Sequence, residues 1–449
     1  MLSLKILCFC YFILTAIIFC DITYILYKYK YIGTYIFCKV IYLFAYALIP
    51  LIIHIKYSKY GTLYPMNIYL DYSESGIDAL YISCLLSFIG YIFLTLGYLD
   101  NHKLKFGNNR TNIKNFENND ENILRYSVII TAIIGVISLY VWSKAYGGVN
   151  KLILEANAVR SGFSKIYNPF AFFKRFASIL LISSYGFFVL IVQTKKKKLI
   201  DILFWILTLV LSIKFLLASD GRMTAGFYFI GYLIIYIQCK SRLKNQKLKF
   251  KDIMKLIVFF AITILIMLKM DDLTYYIRNG VKHSQISSDE SSLINGLIYE
   301  LSFVEKSSQV AILNARKIGL QLLDDIGYGL TSWVPSRLYS SSFTRLRSVN
   351  TELANVTSGE LPCGIVTQGY YDLRVSGVII FTFLYGKIIK KVDSLNINTM
   401  YGLTLYASIF YPIVRVVSYG MIYDLILGLF SIFVFVVIYL TVRKLMRVK

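Results

Sequence analysis

Residues 420–442 read GMIYDLILGLFSIFVFVVIYLTV, and Asp424 is the only charged side chain among them. A helix needs about 20 consecutive apolar residues to cross the hydrocarbon core of a bilayer. This stretch has that length, and the basic tail RKLMRVK follows it directly at residues 443–449. The pattern predicts a transmembrane helix that ends in a basic, cytoplasmic tail.

Similar apolar runs recur along the chain. Of its 449 residues, 57% are hydrophobic and 16% are charged, with a mean hydropathy of +0.61. Soluble domains carry about 25% charged residues, so this composition excludes an ordinary soluble protein. We predict an all-α, polytopic integral membrane protein with about eleven transmembrane helices. These spans are expected near residues 3–20, 32–54, 78–99, 124–142, 169–193, 199–218, 223–239, 255–270, 375–390, 400–416 and 420–442.

The formal net charge of +23 comes from short basic segments between the apolar runs. Such clusters mark cytoplasmic loops, which places the C-terminus in the cytoplasm. The basic residues do not form a stripe on a soluble domain, so nucleic acid is not an expected partner, whereas the lipid bilayer is. The chain then divides into helices with short loops at 1–270, a large extracytoplasmic loop at 271–374, and three helices with the basic tail at 375–449.

The 271–374 segment is polar and slightly acidic, unlike the basic remainder of the chain. Leucines at roughly helical spacing in residues 291–320 predict short amphipathic helices that lie on the membrane surface. Gly327, Gly329 and Pro335 predict irregular backbone farther on. One large insertion on one side of a polytopic protein is the expected place for recognition or chemistry.

Several arginines lie in segments predicted to face outward. A guanidinium group stays charged and binds phosphate through paired hydrogen bonds, so a converging set suits a pyrophosphate at the lipid interface. A single interfacial arginine often only reaches toward lipid headgroups, and the phosphate interpretation therefore depends on the set. The set comprises Arg160, Arg222, Arg337, Arg345, Arg347, Arg374 and Arg415. No D-x-D motif is present, and neither a metal ion nor a cofactor is expected.

The order of the motifs resembles a known family. Gly327-Tyr328-Gly329 precedes the sequence WVPSR at 333–337, and LPCGIVTQGYYDLRVSG follows at 361–377. Gly147-Gly148 with Arg160, and the SDGR turn at 219–222, occupy corresponding places upstream. Together these segments are similar to Wzy-type oligosaccharide repeat-unit polymerases, which make O-antigen and capsule.

The resemblance implies a glycosyltransferase in the bacterial plasma membrane that joins polyprenyl-pyrophosphate-linked oligosaccharides on the extracytoplasmic side. Arg160, Arg222 and Arg337 would stabilise the charge of the departing pyrophosphate, and Asp220 would orient Arg222. Further substrate contacts are expected from Arg345, Arg347, Gln368, Tyr370, Arg374 and Arg415. A chain-length regulator and a flippase are the candidate protein partners.

Two departures from the family pattern stand out. Gln368 occupies a position where the family usually has Glu, and an amide cannot act as a base. Arg374 replaces what is commonly a small residue. Sugar transfer would then need another carboxylate or a histidine as the base. The outward carboxylates are Asp220, Glu300, Glu305, Asp324, Asp325, Glu352, Glu360 and Asp372.

Two other functions stay open at this point. A flippase or transporter of lipid-linked oligosaccharides would favour internal repeats and charged residues within the spans, and no repeat is visible here. An O-antigen ligase would share the architecture of the polymerase and would use a different acceptor.

Overall fold

The computed structural model describes residues 2–29, 32–60, 70–100, 118–156, 166–194, 197–219, 222–243, 293–335, 338–339, 342–356, 360–395, 397, 399–418 and 422–447. Within these ranges the chain is helical and contains no β-strand. Eight of the described helices are long and apolar enough to cross a membrane. The chain is therefore a helical membrane protein, and the all-α prediction is confirmed.

The eight candidate spans are Ser3–Lys28, Thr34–Lys59, Glu74–Leu99, Asp120–Lys144, Phe173–Gln193, Leu199–Ser219, Met400–Ser418 and Ile422–Met446. Three other predicted spans are not among them. Residues 255–270 lie outside the described ranges. The apolar run of the helix at 223–239 is short, Thr224–Cys239. The helix that contains 375–390 carries Lys387, Lys390 and Lys391 close together.

The helices follow one another in this order: α1 Leu2–Tyr29, α2 Thr34–Leu43, α3 Ile49–Tyr60, α4 Glu74–Leu99, α5 Asn118–Lys144, α6 Val149–Leu154, α7 Phe173–Ala177, α8 Ile179–Gln193, α9 Leu199–Ser219, α10 Arg222–Leu243, α11 Leu293–Leu313, α12 Ala315–Ile318, α13 Asp324–Thr331, α14 Leu346–Leu353, α15 Ile365–Asp393, α16 Met400–Ser418 and α17 Ile422–Arg447. They form two compact units. The first comprises Met1–Asn108, Ile286–Asp393 and Ile413–Ile426, and the second comprises Asn109–Gln285, Ser394–Pro412 and Leu427–Lys449.

In the first unit, α2 and α3 continue through a wider turn of π-helix at Phe44–Leu48. Pro50 follows this turn and has no N–H with which to continue the regular α-helical pattern, so a local change of helix type is expected there. Glycines bring α4 and α15 together: a side chain on Gly97 or Gly386 would overlap the backbone of the other helix. Such close backbone contact is typical of helix packing in membranes.

The helix α11 lies in the interior of the first unit and packs against α3, α4 and α15. Ile298, Leu301 and Val304 are buried, as are the polar residues Glu305 and Gln309. The prediction of an amphipathic helix on the membrane surface is therefore wrong for α11, which is buried in the unit. Its polar residues are satisfied by hydrogen bonds inside the unit, and hydrophobic periodicity cannot reveal such partners.

Two further expectations for the 271–374 segment are corrected. Gly327 and Gly329 lie within the helix α13, where irregular backbone was predicted. A Cβ on Gly327 would lie 2.8 Å from the ring of Phe343, so this glycine permits close packing. The helix α15 begins at Ile365, about ten residues before the predicted span, and is interrupted by non-helical backbone at Leu373 and Arg374.

The second unit is built around α5, α8, α9 and α10. Arg125 of α5 binds Asp201 of α9 through Nε and Nη2 at 3.0 Å, and both side chains are buried. Tyr401 of α16 stacks on Tyr439 of α17 with ring centroids 3.9 Å apart. These contacts hold the second unit together, whereas most of the predicted binding residues that can be placed lie in the first.

Candidate functional site

Charged side chains from residues 271–374, which we call the long polar segment, contact charged side chains at the end of α16 and the start of α17. Arg345 precedes α14, and Arg347 lies in the first turn of α14. Arg415 lies in the last turn of α16, and Asp424 lies in the first turn of α17. With Glu360, these residues form what we call the arginine–carboxylate cluster, all within the first unit.

Arg347 is the centre of the cluster. Its Nη1 donates to Glu360 Oε2 at 2.9 Å, and its Nη2 donates to Asp424 Oδ2 at 2.7 Å. Arg345 Nη2 lies 3.4 Å from the other oxygen of Glu360, and Arg415 Nη2 lies 3.3 Å from Asp424 Oδ2. Three guanidinium groups therefore share two carboxylates, which leaves a net positive charge when all five groups are ionised.

Local hydrogen bonds bring Glu360 to this position. Thr351 Oγ1 accepts the N–H of Leu361 at 2.8 Å, and Asn350 Nδ2 donates to the Leu361 carbonyl at 2.9 Å. Both bonds hold residues 360–361 against α14. Because Arg347 lies one turn before Thr351, Glu360 comes to lie opposite its guanidinium group.

The surroundings favour the charged form of Arg347. Burial lowers the pKa of Arg347, but the effects of Tyr423, Asp424 and Glu360 outweigh it and raise this pKa above its usual value. The guanidinium group also lies over the Tyr423 ring, 5.5 Å from its centroid. Arg347 is therefore a fixed positive charge that does not titrate near neutral pH.

The cluster has hydrogen-bond donors left for a ligand. The side chain of Arg345 is 32% exposed, against 14% for Arg347 and 10% for Arg415. Among the described residues, Arg347 Nε has no hydrogen-bond partner, but this atom is buried, so Arg345 is the guanidinium group that a ligand reaches first. Preorganised guanidinium groups with a net positive charge suit a phosphate or pyrophosphate group, which accepts several charge-assisted hydrogen bonds at once.

Gln368 has a structural role that differs from the expected contact with substrate. Its side chain is fully buried. Its Nε2 donates to Asp325 Oδ2 at 3.3 Å, and its Oε1 accepts the N–H of Ile422 at 3.0 Å. Asp325 also accepts the N–H groups of Tyr423 and Leu346 at 3.1 and 3.3 Å. The pair thus caps the starts of α17 and α14, next to the arginine–carboxylate cluster.

This pairing gives a physical reason for an amide at position 368. Burial raises the pKa of Asp325 to about 7, although its backbone hydrogen bonds lower it. A glutamate at position 368 would bring a second carboxylate to Asp325 and could not donate a hydrogen bond while ionised. The amide both donates and accepts, which a carboxylate cannot do here.

Arg374 and Tyr370 lie apart from the cluster and contact each other. Arg374 Nη2 donates to the carbonyls of Ala315 and Gly319, the latter at 2.8 Å, at the end of α12. Its guanidinium carbon lies 5.4 Å from the Tyr370 ring centroid. The backbone of Arg374 has φ of 57°, which a non-glycine residue rarely adopts. The hydrogen bonds of Arg374 therefore hold the non-helical residues of α15 against α12.

The remaining predicted residues cannot be placed. Arg160, Asp220 and Arg337 lie outside the described residues. Arg222 begins α10, but its side chain is not among those described. Their role in charge stabilisation stays a prediction, and so does their convergence with the arginine–carboxylate cluster.

Neither carboxylate of the cluster was assigned to the site from the sequence, although Glu360 is one of the outward carboxylates. One signal points to Asp424: it is the only charged residue of the apolar run 420–442, and ionisable residues in spans usually mark functional sites. Glu360 gives no such signal, because acids are ordinary in polar loops. Its partnership with Arg347 depends on the fold of residues 346–361.

Among the described residues, no group of three or more His, Cys, Asp or Glu side chains is arranged to hold a metal ion. Compared with known proteins, the chain matches no protein-family model, no curated protein and no solved structure.

Proposed function

We propose that the protein is a glycosyltransferase that joins polyprenyl-pyrophosphate-linked oligosaccharide units into a surface polysaccharide such as O-antigen or capsule. The reaction would take place on the extracytoplasmic side of the bacterial plasma membrane. The observation that carries the proposal is the arginine–carboxylate cluster, in which three guanidinium groups outnumber two carboxylates.

The cluster suits the leaving group of this reaction. When the sugar leaves its carrier, negative charge develops on the pyrophosphate, and catalysis needs fixed positive charge where that charge develops. Glu360 and Asp424 hold the guanidinium groups in place before substrate binds. Arg345 is the most exposed of the three and is the expected first contact for the pyrophosphate.

The resemblance supports the same assignment. Two of the segments on which it rests are residues 327–337 and 361–377. Asp325 precedes the first segment and Gln368 lies in the second, and the hydrogen bond between them caps the helix that carries Asp424. The segments that look like the polymerase motifs therefore adjoin the cluster that would bind the pyrophosphate.

Deleting the gene in its host and analysing the surface polysaccharide would test the function. If the protein is a polymerase, the surface polysaccharide of the deletion strain should contain only a single repeat unit. An absence of repeat units at the surface would instead indicate a flippase, and full-length chains that are not attached would indicate a ligase. Purified protein in liposomes should then convert the lipid-linked repeat unit of the host into a ladder of longer products.

A further inference from the structure

A buried carboxylate lies in the middle of α11 and is not a member of the arginine–carboxylate cluster. Glu305 is 2% exposed. Its Oε1 accepts the hydroxyl of Tyr11 of α1 at 2.8 Å, and its Oε2 accepts the hydroxyl of Ser83 of α4 at 3.2 Å. His54 of α3 is fully buried, with Nε2 3.6 Å from Glu305 Oε1. Polar groups from three helices thus converge on one carboxylate.

His54 continues the polar connection toward the surface. Its other ring nitrogen, Nδ1, lies 3.1 Å from the hydroxyl of Tyr72. Tyr72 is partly exposed and stacks on Tyr57 with ring centroids 3.6 Å apart. Glu305, His54 and Tyr72 therefore form a carboxylate–imidazole–phenol chain that runs from the interior of the first unit to its surface. We call it the Tyr72 relay.

The position of Tyr72 is fixed by its neighbours in the chain. Gln309 of α11 accepts the N–H of Asp71 at 3.0 Å and donates to its carbonyl at 2.6 Å. A side chain on Gly76 would overlap the Asp71 carbonyl, so glycine permits this close approach. Ser73 caps α4 by accepting the N–H of Gly76 at 3.2 Å. The bonds to Gln309 tie Tyr72 to the long polar segment, which places it on that side of the protein.

The protons of the relay can be assigned from its surroundings. Burial, followed by the negative charge of Glu305, raises the pKa of Tyr72. The phenol therefore keeps its proton at neutral pH. Because the carboxylate of Glu305 faces His54 Nε2, we assign the ring proton to Nε2, and Nδ1 then accepts the hydroxyl of Tyr72. An imidazole with a hydroxyl on one nitrogen and a carboxylate 3.6 Å from the other suits proton-transfer catalysis.

We propose that the Tyr72 relay removes the proton of the acceptor sugar hydroxyl, an inference that rests on the proposed glycosyltransferase function. Tyr72 is the catalytic residue that contacts the hydroxyl, and His54 and Glu305 act through it as positioning residues. The relay supplies the base that the amide of Gln368 cannot supply.

The acceptor oxygen forms a bond to C1 of the donor sugar while the bond from C1 to the pyrophosphate oxygen breaks, and the electron pair leaves with the pyrophosphate. The acceptor proton moves to the Tyr72 oxygen as the Tyr72 proton moves to His54 Nδ1. Glu305 stabilises the resulting imidazolium, which later returns its proton to solvent through Tyr72. The 3.6 Å separation between His54 and Glu305 is expected to shorten when the imidazole becomes charged.

Kinetics of chain extension in liposomes would test the relay. Tyr72→Phe should lower kcat by about 100-fold or more, the usual contribution of a general base, with little change in KM for the lipid-linked donor. Glu305→Gln keeps the shape of its side chain and should lower kcat in the same way. Tyr57→Phe is the matched control, because it removes the hydroxyl of the neighbouring ring and should retain wild-type kcat. Wild-type kcat in Tyr72→Phe would overturn the proposal.

A second measurement does not depend on catalysis. The chain has only three histidines, so a variant with His102→Gln and His283→Gln leaves His54 as the only one. Its ¹⁵N spectrum in nanodiscs should show a neutral ring protonated on Nε2, and Tyr72→Phe should shift the Nδ1 resonance. A ring protonated on Nδ1 would overturn the relay. The expected spectrum in a protein that makes no polymer would instead contradict the proposed function and leave the hydrogen-bonded relay intact.

Discussion

Arg347 donates a hydrogen bond of 2.7 Å from Nη2 to Asp424 Oδ2, although the two residues are 77 positions apart in the chain. Arg415 approaches the same carboxylate oxygen at 3.3 Å. Asp424 therefore connects α14, which lies in the long polar segment, to the last turn of α16 and the first turn of α17. It lies in the first turn of α17, where the helix dipole also favours a negative charge.

We expect Asp424→Asn to destabilise the protein, because Arg347 and Arg415 would both lose the carboxylate with which they form ion pairs. Breaking a fully buried ion pair costs about 3–5 kcal/mol, and the slight exposure of this cluster should reduce the loss to roughly 2–3 kcal/mol. Unfolding by sodium dodecyl sulfate in mixed micelles would measure the change in the free energy of unfolding.

Asp78→Asn is the control for this substitution, because Asp78 is an exposed acid on α4. Its midpoint of unfolding should stay close to that of the wild type. Equal midpoints for Asp424→Asn and the wild type would show that Asp424 does not organise the cluster.

A glutamate at position 368 should be harmful. Gln368→Glu replaces the donor to Asp325 by a second carboxylate and retains the acceptor for the Ile422 N–H. We expect a loss of stability of about 1–3 kcal/mol, the usual cost of an unsatisfied buried polar group, and no gain in activity. Thermal unfolding and the liposome assay would measure the two effects.

Gln321→Glu offers a comparison, because Gln321 is a partly exposed amide near the start of α13. It should unfold close to the wild-type temperature. Higher activity in Gln368→Glu would contradict a purely structural role for Gln368.

The sequence predicts the spans well where burial in a membrane alone decides the structure. The run 199–218 corresponds to Leu199–Ser219, because a mostly apolar stretch of this length has few alternatives to a transmembrane helix. The start of α15 at Ile365 was missed, since Gly359, Pro362 and Gly364 before it suggest a loop. Its first two turns are held by tertiary hydrogen bonds of Thr367 and Gln368, which no local pattern encodes.

The candidate site was predictable in part. Arg345, Arg347 and Arg415 were selected as phosphate ligands from their residue type and expected side, and they do lie in one cluster. Their carboxylate partners could not be assigned, because the fold of α14 and the start of α17 brings them together. The Tyr72 relay was missed for a similar reason. Glu305 was only one of several outward carboxylates, and His54 comes from a distant segment that the fold brings within 3.6 Å of it.

Stability should fall as the pH rises between about 4 and 7. Burial raises the pKa of Asp325 to about 7 and that of Asp372 to about 6, whereas an ordinary aspartate has a pKa near 3.8. In this range the folded protein holds protons that the unfolded chain has lost, so unfolding releases protons and becomes easier at higher pH. Each carboxyl should contribute on the order of 1 kcal/mol per pH unit within its range.

Unfolding midpoints in micelles, measured from pH 4 to pH 8, would check this dependence. Asp325→Asn and Asp372→Asn should each flatten the pH dependence, even if they lower stability overall. Asp78→Asn, which changes an exposed carboxyl on α4, serves as the control. A stability that rises between pH 4 and pH 7 would show that the buried carboxyls ionise as easily as those of the unfolded chain.

Arg345 should contribute to binding of the proposed pyrophosphate donor. It is the most exposed guanidinium of the cluster. Its ion pair with Glu360 is long, at 3.4 Å, and its contact with the Tyr328 ring is 5.9 Å from the centroid, so it can turn toward a ligand without breaking a strong bond. A charge-assisted hydrogen bond contributes about 1.5–3 kcal/mol, and Arg345→Ala should therefore raise KM for the lipid-linked donor by roughly 10-fold or more. Arg345→Lys should restore only part of the affinity, because an ammonium group cannot form the paired hydrogen bonds of a guanidinium.

Arg316→Ala provides the matched control, because Arg316 is an exposed arginine on α12 and lies outside the cluster. It removes the same charge from the long polar segment and should leave KM unchanged. If both variants raised KM equally, the effect would come from the loss of one positive charge anywhere in the segment, and not from the cluster. If neither did, the arginine–carboxylate cluster would hold the fold together without binding the donor. A rise confined to Arg345→Ala is the result that the net positive charge of the cluster predicts, and inorganic pyrophosphate should then inhibit the wild type more strongly than this variant.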